Sequence, residues 1–227
     1  MLPNRRNRSS DSASQILRWP TERARKWTCE FLNSAPGNGN VLAVVAIGSA
    51  VRENVVSTDL DLIVISTEGI PLHLSPPLEI DLRAYSIGAI DSKIASGHDL
   101  LGWAIKFARV LFQRAKCWDK IVEAWKDTLP LPSAALARER AMTAHERLAE
   151  VLDSGDADAA HEQAVCYLTH LARAELLDRG TYPASRPELP AQLRAGDSPQ
   201  IAEQLERLLR DDRIDEARID RLLKLTA

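Results

Sequence analysis

The chain has 227 residues, 45% of them hydrophobic and 27% charged, which supplies enough apolar surface for a packed core and excludes a disordered chain. A net charge of −3 gives no overall attraction to nucleic acid, and three widely spaced cysteines, Cys29, Cys117 and Cys166, form neither a disulfide framework nor a zinc-ligand pattern. No apolar run approaches the ~18 residues of a membrane span, and the arginines of the opening MLPNRRNRSS have no apolar signal segment behind them, so a soluble cytoplasmic protein is expected.

Residues 1–12 are polar, rich in Arg and Ser, and expected to be a disordered arm. From 13 to about 32, Ile16, Leu17, Trp27, Phe31 and Leu32 predict a helix, or two pieces divided near Pro20. Residues 34–40, with Pro36, Gly37 and Gly39, read as a loop. Residues 41–47 are a short β-branched run closed by Gly48-Ser49, the pattern of a buried strand. Residues 50–55 are expected to begin a short helix whose first N–H groups lack partners. A second strand is expected from near Thr58 to near Ser66, and a third over 78–85, separated by a loop containing Gly69, Pro71, Pro76 and Pro77.

From Gly88 onward the pattern is helical. Leu100, Leu101, Ala104, Ile105, Ala108, Leu111 and Phe112 follow helical spacing, as do Ile121, Val122 and Trp125. The LPLP run at 129–132 breaks it and marks a boundary between a domain over 13–129 and a C-terminal helical domain over 130–227. Ser133 is placed to cap a helix running to about Leu152. Ser154-Gly155-Asp156 then turns into another, which runs through Asp178 and stops at Arg179-Gly180. Two short helices, about 199–210 and 214–225, are expected to finish the chain. The fold class is therefore α+β: a small mixed sheet of three to five strands with helices, followed by an all-α bundle.

The chemistry concentrates between Gly48 and Asp81. Asp59 and Asp61 are two apart on a predicted strand and so share a face, with Leu60 and Leu62 turned the other way. Two carboxylates held side by side repel, and burial adds to the cost unless something neutralises them. Hard oxygen ligands of this kind suit Mg²⁺, which commonly takes substrate phosphates as further ligands. The small-residue turn Gly48-Ser49 would offer backbone N–H groups and a hydroxyl to a phosphate. On the third strand Glu79 and Asp81 share a face, and either fits as a third carboxylate.

Taken together, Ile47-Gly48-Ser49, the spacer 50–58, Asp59-Leu60-Asp61-Leu62 and a further acidic strand resemble the polymerase-β-like nucleotidyltransferase superfamily. The C-terminal part looks like the helical bundle of small bacterial nucleotidyltransferases that modify aminoglycosides or lincosamides. The resemblance implies a nucleotidyltransferase core and two Mg²⁺ ions held by Asp59, Asp61 and Asp81, with Asp81 also a candidate base. It implies a nucleoside triphosphate, ATP for preference, bound near Gly48, Ser49 and Arg52. It implies transfer of a nucleoside monophosphate to a hydroxyl of a small molecule such as an antibiotic, with release of pyrophosphate. A macromolecular acceptor, either a partner protein as in antitoxin-type members or a tRNA 3′ end, is the alternative, and a catalytically inactive nucleotide sensor or interaction module is another. No membrane partner is implied; a homodimer is compatible with the resemblance.

Other residues carry weaker signals. Arg52 is either a phosphate ligand or a solvated cation. Lys106 and Arg109, three apart on the predicted helix, either face the site or lie on the surface. Tyr167 and His170 either line an acceptor pocket or are ordinary core residues. Trp103, Trp118 and Trp125 read as core. Arg140 and His145 have the Arg-x4-His form of the HEPN ribonucleases, a spacing that an arginine-rich helix also produces by chance, and no ribonuclease site is assigned to them.

Overall fold

The computed structural model describes residues 13–52, 58–68 and 75–210. They fall into two compact units, divided between Pro130 and Leu131. The class is α+β: a four-stranded mixed sheet with its helices in the first unit, and helices alone in the second.

The first unit begins with α1 (Glu22–Ser34). Pro20 lies just before it, and the Oγ1 of Thr21 caps it by accepting from the Ala24 N–H at 3.1 Å. Ala24, Thr28, Phe31 and Leu32 recur at helical spacing and form its buried stripe. A short 3-10 turn, Ala35–Gly37, leads into β1 (Val41–Ile47). β1 lies between β2 (Leu60–Ser66) and β4 (Arg109–Gln113), antiparallel to both, while β3 (Ile80–Ser86) runs parallel to β2 at the edge. The order is β3-β2-β1-β4.

Both faces of β1 and β2 are covered, so their sequences are continuous apolar runs and not alternating ones. On one face Leu60, Leu62 and Val64 join Val44, Ala46 and the buried stripe of α1. On the other, Ile63 and Ile65 with Val45 and Ile47 meet α2 (Ile87–Ala95), α3 (Asp99–Phe107) and α4 (Cys117–Trp125). Ile90, Ile94, Leu101, Ile105 and Trp118 are the helix side chains at that contact. The indole Nε1 of Trp125 donates to Asp91 Oδ1 at 2.8 Å and ties α4 to α2. Edge strand β3 behaves differently: apart from Ile80, its side chains are exposed or half-buried.

Four expectations need correction. Leu111 and Phe112 do not continue the helix that contains Leu100. α3 ends at Phe107, Ala108 turns to extended backbone (φ −67°, ψ 155°), and Arg109–Gln113 adds to the free side of β1. Lys106 and Arg109 therefore sit on different elements. The helix expected over 50–55 is, within the described residues, one 3-10 turn, Ser49–Val51, after which Arg52 is extended (φ −111°, ψ 142°). The Ala50 carbonyl accepts instead from the distant N–H groups of Leu17 and Arg18, at 2.9 and 3.2 Å, so it is not spent on a helix bond. β2 starts at Leu60 and β3 at Ile80, so Asp59 and Glu79 stand just before their strands. The Leu60 N–H donates to the Glu79 carbonyl at 2.8 Å, joining the two starts.

The second unit is built on α5 (Ala134–Ser154) and α6 (Ala157–Asp178). Ser133 Oγ accepts from the Leu136 N–H at 3.2 Å and Asp156 Oδ1 from the Ala159 N–H at 3.0 Å, so each helix starts on a side-chain cap. Gly155, at φ +76°, makes the left-handed turn between them. The two run antiparallel, since Arg138 pairs with Asp178 at one end while His145 meets Tyr167 farther along, at 5.2 Å between ring centroids. Alanines line the contact, Ala137, Ala141 and Ala144 on α5 and Ala160, Ala164 and Ala172 on α6, which lets the backbones approach closely. A short helix that the sequence did not announce, α7 (Leu189–Ala195), and then α8 (Pro199–Arg210) close the core with Leu189, Leu193, Leu205 and Leu208. The arm at 1–12 and the helix expected over 214–225 lie outside the described residues. Among the described residues no helix is long and apolar enough to cross a membrane.

Candidate active site

Strand register assembles the site. Ile47, the last residue of β1, is paired with Asp61, and Asp61 is paired with Asp81 across the parallel β2–β3 ladder. The chain leaving β1 therefore enters Gly48 beside the row that holds the two aspartates. Leu60 and Leu62, flanking Asp61, are buried on the opposite face, as the alternation requires. Asp59 and Asp81 are exposed, and Asp61 between them is half-buried.

Gly48 is what makes room for Asp61. It adopts φ +78° and ψ −160°, a conformation that L side chains avoid. A Cβ placed on it would lie 2.2 Å from Asp61 Oδ2, well inside contact distance. The carboxylate is thus packed against the backbone of the turn. This withdraws it from water, and burial followed by the negative charges of Asp59 and Asp81 pushes its pKa up to about 6, with Arg83 pulling the other way.

Asp81 is held differently. Arg83, two residues on and therefore on the same face of β3, donates Nε and Nη2 to Asp81 Oδ2 at 3.0 and 2.8 Å. That hydrogen bond and the charge of Asp81 raise the guanidinium pKa further. Glu79 stands outside the strand and its Oε2 is buried with no hydrogen-bond partner; the charges acting on Asp61 are those of Asp59, Asp81 and Arg83.

The remaining sequence candidates are dispersed. Ser49 begins the 3-10 turn after Gly48. Arg52 follows that turn, its guanidinium carbon 4.9 Å from the centre of the Phe107 ring at the end of α3. Lys106 is exposed near that helix end, and Arg109 is exposed at the start of β4. In the second unit Tyr167 is fully buried in the helical core and His170 half-buried; Arg140 is exposed while His145 packs on Tyr167. Trp118 is buried in the core of the first unit, and Trp103 and Trp125 pack against it. Arg83 was not among the sequence candidates, although its place two residues after Asp81 on a strand was a signal that the two side chains meet.

The donor set fits a divalent cation in kind: hard carboxylate oxygens whose mutual repulsion already disfavours the ionised form of Asp61. They do not stand as a ready shell, since no three His, Cys, Asp or Glu side chains among the described residues are grouped to hold a metal ion.

No family model matches the chain, and no curated protein is significantly similar to it. Among solved structures, it superposes on a nucleotidyltransferase-like protein from Exiguobacterium sibiricum 255-15 with a TM-score of 0.43 and 16% identity, over 89% of this chain and 71% of that one. A likeness of that degree identifies neither family nor reaction.

Proposed function

We propose that the first unit is the catalytic part of a nucleotidyltransferase, which moves a nucleoside monophosphate from a nucleoside triphosphate to an acceptor hydroxyl and releases pyrophosphate. The observation that carries this reading is the packing of Asp61 against Gly48: a positive-φ glycine whose missing side chain admits a carboxylate, with Asp59 two residues before it and Asp81 in register beside it. Such an arrangement holds Asp61 in a destabilised, ionisable state that a solvated strand end would not produce.

Asp59, Asp61 and Asp81 are the residues that would hold Mg²⁺, which when bound neutralises the carboxylates and the phosphates and favours ionisation of the acceptor hydroxyl. In the transfer, the acceptor oxygen bonds to the α-phosphorus. The bond from that phosphorus to the α–β bridging oxygen breaks, and pyrophosphate leaves with the electron pair. Asp81 is assigned to take the hydroxyl proton, as the sequence resemblance implies. The Gly48-Ser49 turn, the Ser49 hydroxyl and Arg52 are assigned to the triphosphate. Fixing donor and acceptor in line supplies most of the acceleration in chemistry of this kind. The sequence resemblance favours ATP as the donor and a small hydroxylated molecule, such as an antibiotic, as the acceptor, with a partner protein or a tRNA 3′ end as the alternative.

The test is transfer of label from each of the four α-labelled nucleoside triphosphates to small hydroxylated antibiotics, total tRNA and protein offered in parallel. Label entering one acceptor class with the wild type, and none with Asp61→Asn, is the expected result, and its destination names the acceptor. Transfer undiminished in Asp61→Asn would refute the site.

A further inference from the structure

We propose that the free edge of β3 is a dimer seam, at which a second copy of this chain adds its own β3 antiparallel and brings its Arg83 to Asp81. The inference does not depend on the reaction proposed above. β3 ends the strand order, so one side of its backbone is unpaired within the sheet. The Glu79 carbonyl accepts from the Leu60 N–H and the Tyr85 carbonyl from Ser66 Oγ, so both point toward β2. By the alternation of a strand, the N–H and C=O groups of Ile80, Leu82 and Ala84 point away from it. The Ile80 N–H is taken by the Pro77 carbonyl at 2.9 Å. The Ile80 carbonyl and both groups of Leu82 and Ala84 are left facing the edge. Such a row is a template for another strand unless its side chains forbid it.

The side chains select a copy of the same strand and fix its register. Asp81 and Arg83, both exposed, lie on one face of β3 on either side of Leu82. In an antiparallel pair centred on Leu82, Asp81 stands opposite the partner's Arg83, and Arg83 opposite the partner's Asp81. Leu82 exchanges both of its backbone bonds with its counterpart, so the charged positions form non-hydrogen-bonded pairs, whose side chains come closest. Pairing centred on Asp81 or on Arg83 would set like charges against each other. Within one chain Arg83 engages only Oδ2 of Asp81, which leaves Oδ1 for the incoming guanidinium. The opposite face is apolar, with Leu82 half-buried and Ala84 exposed, and the same register sets Ile80 beside the partner's Ala84. Leu78, in the turn that opens the strand, is fully exposed, and the end of the partner's β3 comes alongside that turn. The result is a two-fold dimer that joins the two four-stranded sheets into one. Each copy then contributes an arginine to the row that holds Asp61 and Asp81 of the other.

The experiment is the mass of the full-length protein in solution, by sedimentation equilibrium at about 1–200 µM, a range suited to a small interface of the weak class. Wild type is expected to approach the mass of two chains at the upper end. Ala84→Pro removes an outward N–H and leaves the β2 ladder intact, and is expected to weaken association at least about tenfold. Arg83→Asp and Asp81→Arg each set like charges opposite one another in this register, and each should be monomeric alone. Mixed together, the two should recover the mass of two chains, because an acidic edge then meets a basic one. That recovery separates repulsion across the seam from misfolding of either variant. Wild type that stays monomeric across the range overturns the proposal and leaves the edge to a strand of some other chain. A dimer indifferent to Ala84→Pro and to both charge reversals overturns it too, since it would use another surface. So does failure of the two charge variants to associate on mixing. Because mass and not activity is read, none of these outcomes bears on the nucleotidyltransferase reading.

Discussion

Replacing Asp61 by Asn should make the protein more stable at neutral pH, and by an amount that depends on pH in a calculable way. Folding raises the Asp61 pKa from 3.8 to about 6, through burial first and then the charges of Asp59 and Asp81. Because the folded state holds this proton more tightly than the unfolded state, stability falls as pH rises between those two values and is flat above them. At 1.36 kcal/mol per pKa unit, the full penalty above pH 6 is about 3 kcal/mol, an upper bound because the side chain keeps some contact with water. At pH 4.5 the same two pKa values leave about 1 kcal/mol. Asn keeps the shape and removes the charge. Urea unfolding of wild type and Asp61→Asn, in the presence of a chelator, should show the variant ahead at pH 7.5 and the gap narrowing toward pH 4.5. A variant no more stable than wild type at pH 7.5, or a gap independent of pH, would refute the claim that the half-buried Asp61 is destabilised in its charged form.

Three further outcomes follow from the same structure. Gly48→Ala forces a side chain onto a positive φ and against Asp61 Oδ2, and should cost about 1–3 kcal/mol in backbone strain, plus the displacement of the carboxylate; in denaturant unfolding, pairing it with Asp61→Ala should recover the second part and not the first. Leu148→Ala empties a fully buried position in the core of the second unit and should lower stability by about 2–5 kcal/mol, against near zero for the exposed Met142→Ala. Asp156→Ala removes the side-chain cap of α6 and should cost about 1 kcal/mol, measured by the shift in urea midpoint.

What could be read from the sequence follows from how far each element depends on distant partners. β1 and β2 were legible because burial on both faces demands a continuous β-branched run, and α5 and α6 because Ser133, Asp156 and the small Gly155 turn punctuate them locally. β4 was not, because Val110, Leu111 and Phe112 are too few to show a period of two, and the helical spacing of Leu101, Ala104 and Ala108 happens to continue through Leu111. What makes them a strand is the open side of β1, a partner more than sixty residues away by the pairing of Ala43 with Gln113. α7 was hidden among Pro183, Pro187 and Pro190, of which Pro190 sits in the first turn, where a missing N–H costs nothing.

The candidate site divides in the same way. That Asp59 and Asp61 lie near one another follows from spacing alone. That Asp61 is paired with Asp81 requires the β2–β3 register, and that Gly48 matters for its missing Cβ requires the close approach of β1 and β2 at Ile47. Spacing read Gly48 as a donor of N–H groups; in the fold it also has a steric role, as room for a carboxylate.

The most direct test of the central claim needs no acceptor. Binding of a labelled nucleoside triphosphate to the full-length protein should be detectable with Mg²⁺, fall sharply with a chelator, and be lost in Asp61→Asn even though that variant is the more stable protein. Nucleotide binding that is indifferent to both the cation and the Asp61 substitution would contradict the assignment of these carboxylates to nucleotidyl transfer.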